Sequence, residues 1–341
     1  MHNFKKACLA TLSLLLTMIL VFCVYTAPYF GGTAYYYQDA KMRDSLAGQL
    51  DLLVIGSSHA FRSIDPEVLD AELGCNSYNL ACAMQTMRGR YYLLKHEIAR
   101  NPVKTVILEV SYNALTRDRV TEGPEGDIYE LARFSNPLDR ISYFFSTIYP
   151  SEYTKLFYDT MDRSSTAWEK LLKGEMKPYS GRGFLGLDAE DMTVTRAEGE
   201  AMYHSSPTVT ELNADDVAYF EKCLTLCKEK GVRLILVVTP LSDKQIICNT
   251  DLETVRGWYL HYAEKYGCEF YDFNLIKTKL TDYPSDTAFF DSTHLSREGA
   301  AVFSAQLCDV LHMVDAGEDI SGLFLVDYAT ITQMTMASLS E

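Results

Sequence analysis

Two short stretches hold the side chains best suited to chemistry. The first, GSSHAFR (Gly56 to Arg62), follows an apolar run and presents Ser57, Ser58, His59 and Arg62 in quick succession. The second, FFDSTHLSREGAAVFSAQL (Phe289 to Leu307), lies far downstream and carries Asp291 and His294 in D-x-x-H spacing within a polar loop. A serine hydroxyl becomes a nucleophile when a base takes its proton, another group orients that base and donors receive the oxyanion. A D-x-x-H loop can turn both side chains toward one point, so that the carboxylate accepts from one ring nitrogen while the other faces a serine. Each stretch alone has a plainer reading, because glycine and serine often follow a strand. Adjacent side chains usually point apart, so His59 is a pocket or substrate contact rather than the base. Arg62 suits a phosphate or carboxylate of a substrate, or equally an exposed surface. A metal site on His59, Asp291 and His294 would leave the serine unexplained, and no metal or other cofactor is expected.

The elements that must position these groups are legible as apolar runs. DLLVIG (51–56), SYNLA (77–81), KTVILEV (104–110), VRLILVV (232–238) and CEFYDF (268–273) read as strands. Between them lie DPEVLDAEL with Pro66 early in a helix, MRGRYYLLKHEIAR, ADDVAYFEKCLTLCKEKG and LETVRGWYLHYAEKYG, the last two closed by Gly231 and Gly267. Ser296 is placed to cap a further helix after the D-x-x-H loop. Near-continuous apolar strands alternating with helices predict a parallel sheet covered on both faces, a three-layer α/β/α sandwich. Chemistry in such sheets gathers beyond the carboxyl ends of the strands, where both the serine turn and Ser111 to Asn113 fall.

The alternation breaks over about 114–212, a stretch rich in tyrosine and proline. A loop of that length needs structure of its own, so an insertion with some helices, overhanging the carboxyl edge of the sheet, is expected. Its aromatic side chains would stack on sugars, line a lid or form a small core. His204 has no recognisable partner in sequence.

The chain of 341 residues is 48% hydrophobic and 23% charged, too apolar for disorder. Its formal charge of −15 argues against a nucleic-acid partner, which needs a basic face. Residues 7–27 are almost wholly apolar and, at about 1.5 Å per residue, reach roughly 30 Å, the hydrocarbon thickness of a bilayer. Lys5 and Lys6 precede that span with no matching positives just after it, so residues 1–6 are expected in the cytoplasm and the remainder outside. A cleaved signal peptide is the rival reading, though Tyr25 spoils the small-x-small pattern that would end at Ala27. Residues 28–48 read as a linker, and 312–341 as a tail whose SGLFLVDYATI packs on the sheet or near the membrane. The nine cysteines show no paired C-x-x-C pattern, and Cys223 and Cys227 stand one helical turn apart, so buried free thiols are expected.

Gly56-Ser57-Ser58 at the end of the first strand, with Asp291-x-x-His294 before the last helix, resembles the GDSL or SGNH hydrolase superfamily, chain order included. The resemblance spans 49–311 and rests on the two ends of that domain. It implies a flavodoxin-like sheet of five parallel strands, with Ser58 as nucleophile, His294 as general base and Asp291 as its orienter. Ser57 stands where that family usually has aspartate. Ala81 stands where it supplies a glycine amide to the oxyanion hole, and Asn113 matches its oxyanion asparagine only loosely. GSSHAFRSID is similar to a narrower branch, the membrane-anchored SGNH-like proteins of bacterial envelopes. That branch implies an esterase or O-acyltransferase acting on a polysaccharide or teichoic-acid-like polymer, working beside a membrane-bound O-acyltransferase. A vestigial, purely adaptor version of the same domain is the alternative.

Overall fold

The five apolar runs form five strands of one parallel sheet, the first four largely buried and the last, at the sheet edge, half-buried. The structure, a computed structural model, describes residues 2–30, 35–116, 123–174, 181–189, 194–205, 211–278 and 287–340. In chain order the elements used below begin with α1 (His2–Phe30), α2 (Tyr35–Ser45), β1 (Leu52–Ile55), α3 (Ser58–Ser63), α4 (Pro66–Leu73), β2 (Ser77–Asn79), α5 (Met87–Arg100) and β3 (Thr105–Glu109). There follow α6 (Glu125–Ala132), α7 (Pro137–Thr147), α8 (Tyr153–Lys173), α9 (Arg196–Ser205), α10 (Ala214–Lys230) and β4 (Arg233–Val238). The last are α11 (Asp243–Cys248), α12 (Leu252–Tyr266), β5 (Glu269–Asp272), α13 (Arg297–Asp315) and α14 (Tyr328–Ser338). The chain divides into two units, Met1–Asp44 with Ile128–Ser180 and Ser45–Asp127 with Gly181–Glu341.

The larger unit holds the sheet, in the order β2-β1-β3-β4-β5 with every pairing parallel. Leu53 lies opposite Tyr78 on one side and Val106 on the other, and Leu108 opposite Leu236. This is the flavodoxin-like order. Right-handed crossovers then send the β1 to β2 connection to one face and the later ones to the other. Accordingly α3 and α4 pack with α13, while α5 and α12 pack with α10, giving the three layers. The helix boundaries follow side-chain chemistry. Asp65 caps α4 ahead of Pro66, Thr86 caps α5 by accepting from the Gly89 amide, and Ser296 caps α13 by accepting from that of Gly299. Gly231 and Gly267 end α10 and α12 as the sequence predicts.

The C-terminal segment closes the β5 edge of this unit. Tyr328 and Ile331 of α14 are buried with Leu241, Leu252 and Leu275, and the Tyr328 hydroxyl donates to Asp272 at 2.8 Å. Burial raises the Asp272 carboxyl to about 6, against the pull of the Tyr328 hydrogen bond. Of the two placements open to SGLFLVDYATI, the sheet is the one observed. All nine cysteines are free thiols.

Along the opposite edge, residues 181–188 run beside β2 as a strap. The Asn79 amide donates to the Arg182 carbonyl at 2.8 Å, Leu185 to Phe61 at 3.1 Å and Arg297 to Leu187 at 2.7 Å. The strap therefore ties β2, α3 and the start of α13 together. It comes from within the insertion read from sequence, of which 117–122, 175–180, 190–193 and 206–210 lie outside the described residues.

In the smaller unit α1 is joined by α2, α7 and α8. Its small core includes Tyr29, Ala132 and Ala167. The Trp168 indole donates to the Tyr25 carbonyl at 2.8 Å, and buried Arg133 pairs with Asp39 at 2.7 Å and with Glu130 at 2.8 Å. Residues 28–48, read as a linker, thus include a helix that contributes a buried ion pair. Among the described residues one helix, Phe4–Tyr29, is long and apolar enough to cross a membrane.

Gly183 anchors the strap. It has φ of +86°, and a Cβ there would stand 1.7 Å from the Asn79 carbonyl oxygen. Gly183→Ala should lower stability by more than about 1 kcal/mol, read as a shift in the urea midpoint, and a neutral result would show that the strap does not hold the β2 edge.

Candidate active site

The serine turn is built where β1 meets α3. Gly56 follows β1 and closes on β3, since a Cβ on it would lie 2.6 Å from both Cβ and Oε2 of Glu109. That contact brings the Glu109 carboxyl under the turn. Its Oε2 accepts from the Ser57 amide at 2.7 Å and from the Ser57 hydroxyl at 2.9 Å. The same hydroxyl accepts from the His59 amide at 3.2 Å, which caps α3. With Ser57 fixed at both ends, Ser58 opens the helix, partly exposed while its neighbours are buried. Arg90 compensates Glu109 from α5, its NH1 donating to the Glu109 carbonyl at 2.7 Å and its NH2 lying 3.6 Å from Oε2. Neither side chain is more than 2% exposed.

His294 approaches from the loop before α13. Phe289 bridges Leu295, and the Phe290 amide donates to the His294 carbonyl at 2.9 Å, so the loop is a closed turn. Within it Asp291 Oδ1 accepts from the amides of Thr293 at 2.8 Å and His294 at 2.9 Å. His294 Nδ1 stands 2.8 Å from each Asp291 oxygen, and Nε2 stands 2.7 Å from Ser58 Oγ. A carboxylate on one ring nitrogen places the proton on Nδ1 and leaves Nε2 as an acceptor for the serine proton. Burial acts to raise the Asp291 carboxyl, but the Thr293 amide and the His294 ring outweigh it, and its pKa falls below the ordinary value. Asp291 stays ionised near neutrality.

The remaining residues singled out in sequence fall around this line. His59 is buried, stacked on His294 with ring centroids 5.1 Å apart and edge-on to Tyr112 at 6.2 Å. Burial lowers its pKa from 6.5 to about 4, against the opposing charge of Glu109, so it is neutral beside the base. Arg62 lies over the rings of Phe290 at 5.2 Å and Phe61 at 5.9 Å, joining the serine helix to the histidine loop. Asn113 Oδ1 accepts from the Ser111 hydroxyl at 3.0 Å. Ala81 is fully buried and its amide donates to Asn79 Oδ1 at 3.0 Å, which commits that donor to the protein rather than to an oxyanion. Asn79 also donates to the carbonyls of Ala60 and Ile64, both at 2.8 Å, and so ties β2 to α3. His204 is exposed on α9, its ring against Tyr203. Among the described residues no cluster of three histidine, cysteine or acidic side chains could hold a metal ion.

Glu109, Arg90 and Asn79 were missed in sequence. Glu109 did leave a signal, since a carboxyl in the otherwise apolar run KTVILEV must find partners if the strand is buried. The other two carry none.

No protein-family model matches the chain, and no curated protein does. Among solved structures it is similar to a "putative acylhydrolase" from Bacteroides fragilis NCTC 9343, at 11% identity and a TM-score of 0.36, over 81% of this chain and 94% of that one. So remote a likeness adds nothing to the geometry above.

Two outcomes follow. Glu109→Ala, which strands buried Arg90, should cost about 3–5 kcal/mol by urea denaturation, whereas Glu109→Leu with Arg90→Leu should recover much of that stability without restoring the fluorophosphonate labelling expected of Ser58 in the native chain. Reactivity returning with stability would make Glu109 merely structural. For His59, the unfolded chain binds a proton between pH 6.5 and about 4 that the native chain refuses, so its contribution is full above 6.5 and lost as pH falls toward 4. That contribution is about 3 kcal/mol, and His59→Phe should flatten the fall in Tm between pH 7 and pH 4.5.

Proposed function

We propose that the protein is a serine esterase or O-acyltransferase of SGNH type, working through an acyl intermediate on Ser58. One observation carries the reading: Ser58 Oγ, His294 and Asp291 form a continuous hydrogen-bonded line from a partly exposed hydroxyl to a carboxylate. In the proposed reaction Ser58 Oγ attacks an ester carbonyl as His294 Nε2 takes its proton, and Asp291 stabilises the imidazolium. The tetrahedral intermediate collapses when His294 returns the proton to the departing alkoxide, leaving the acyl group on Ser58. A second hydroxyl then enters, deprotonated by His294, and Ser58 leaves with the proton restored. Water gives hydrolysis, and a sugar or polyol hydroxyl gives acyl transfer.

The apolar Phe4–Tyr29 helix, with Lys5 and Lys6 in its first turn, supports a membrane anchor with the catalytic domain outside the cytoplasm. A substrate in the cell envelope suits that placement, as a polysaccharide or teichoic-acid-like polymer bearing O-acyl groups. A membrane-bound O-acyltransferase is the partner proposed with it. Asn113 is proposed as an oxyanion donor and Arg62 as a contact for an anionic substrate group.

Ser58→Ala should abolish labelling by a fluorophosphonate probe while the fold, read by circular dichroism, is unchanged; persistent labelling would remove Ser58 as nucleophile. Asp291→Asn should slow labelling by about 10²–10⁴-fold, and Asn113→Ala by about 10²–10³-fold. The commitment of the Ala81 amide to Asn79 favours a second reading, an adaptor that binds the polymer with an incomplete oxyanion hole. Full complementation of a knockout by the Ser58→Ala chain would select the adaptor.

A further inference from the structure

The smaller unit carries apolar side chains on a face where a helix in water would be polar. On α7, Tyr143 and Thr147 point into the unit and are buried, yet the opposite side shows Leu138 at 73%, Ile141 at 52% and Phe145 at 72% exposure. On α8, Phe157 and Tyr158 are likewise exposed, at 49% and 67%. An amphipathic helix normally has one apolar stripe and turns it inward. Here α7 buries Tyr143 and Thr147 on its inward side and leaves an apolar set exposed on its outward side.

The position of that set points to its partner. Phe22 of α1 stacks on Phe157 of α8, with centroids 6.1 Å apart. Phe22 also joins Ile141, Phe144, Phe145 and Phe157 in lining an open groove of about 480 Å³. The groove is thus continuous with the exposed apolar surface of α1. Phe22 lies roughly 22 Å along that helix from Ala7, within about 8 Å of the far boundary of a hydrocarbon layer about 30 Å thick. Tyr25 and Trp168, at the next level, are hydrogen-bonded to this unit and are of the type that settles at the headgroup boundary. Amphipathic helices lie in that plane with their apolar side about 5–10 Å deep.

We infer that α7 and the start of α8, at Phe157 and Tyr158, rest in the bilayer surface beside α1, with lipid acyl chains against Leu138, Ile141 and Phe145 and in the groove. The inference rests on reading α1 as a membrane span, and adds to it a second, interfacial contact. The anchored unit would then be held by three helices rather than swivelling on one.

The test uses the full chain in bilayers of phosphatidylcholine and phosphatidylglycerol, with p-benzoylphenylalanine placed singly at Phe145, at Ile141, at Leu15 of α1 or at exposed Lys228 of α10. After irradiation, intact mass should show one phospholipid added at Phe145, Ile141 and Leu15 and none at Lys228. Lipid adducts at Leu15 with none at Phe145 or Ile141 would overturn the inference and leave the anchor standing. Absence of an adduct at Leu15 would remove the anchor reading and this inference with it. Crosslinked protein dimers at Phe145 in place of lipid adducts would assign the face to a second copy of the chain and overturn the lipid assignment.

Discussion

The buried Glu109 carboxyl at the end of β3 is the contact on which the rest of the site depends. A nucleophile turn must leave a strand, reverse direction and start a helix within three residues, and backbone donors in such a turn need acceptors. Glu109 supplies one from the neighbouring strand, holding both the amide and the hydroxyl of Ser57. The hydroxyl in turn caps α3, so one side chain sets where the helix begins and hence where Ser58 points. The cost is an acidic group with no exposure, offset by Arg90. A partner in a low-dielectric setting is worth more than at the surface, and its loss costs more for the same reason. Gly56 belongs to the same device, because any side chain there would displace the carboxyl.

The histidine loop is fixed by a different set of contacts and reaches the serine from the other end of the chain. Its inner geometry comes from Asp291, which receives two backbone amides before it meets the ring. Its outer geometry comes from the Ser242 hydroxyl on the Ser292 carbonyl and from Gly299, whose position on α13 lets the helix close on the Ala288 carbonyl. The strap joins the two halves through Phe61 and Arg297. Side chains on loops acquire fixed directions when the loop is pinned at both ends to helices or strands. That condition is met on both sides of the Ser58 to His294 hydrogen bond.

Much of this was legible because burial leaves simple marks. Strands covered on both faces read as unbroken apolar runs, so all five were visible, and their alternation with helices implied a parallel sheet. Ser58, Asp291 and His294 were readable because their types and spacing are unusual together at the ends of a domain. The supporting contacts were not. Asn79 looks like any polar residue in a strand, yet it holds Ala60, Ile64 and Ala81 through geometry that no spacing announces. The placement of the C-terminal segment hung on Tyr328 meeting Asp272, which lies far back in the chain. Motif matching placed Ala81 at a strand end that it does occupy, but could not foresee where its amide points.

Electrostatics around Ser58 put the remaining burden on oxyanion donors. In the proposed reaction, attack on an ester would create negative charge next to a turn that already holds a buried carboxyl, in a chain with a formal charge of −15. Arg90 is ion-paired with that carboxyl and bonded to the Glu109 carbonyl, and the Ser57 donors are engaged with the carboxyl too. His59 is neutral, so it would bring no positive charge to the oxyanion, and equally it would not repel the imidazolium that the proposed reaction forms on His294. Stabilisation of the intermediate must then come from dipoles aimed at the oxygen, and the Ala81 amide is already turned toward Asn79. With His294 and Asp291 aligned on Ser58, the separation between the proposed acyltransferase and the adaptor reading lies in those few N–H groups. Asn113 is the side chain proposed for that task, and its carbonyl oxygen accepts from the Ser111 hydroxyl, which leaves the amide nitrogen to donate elsewhere.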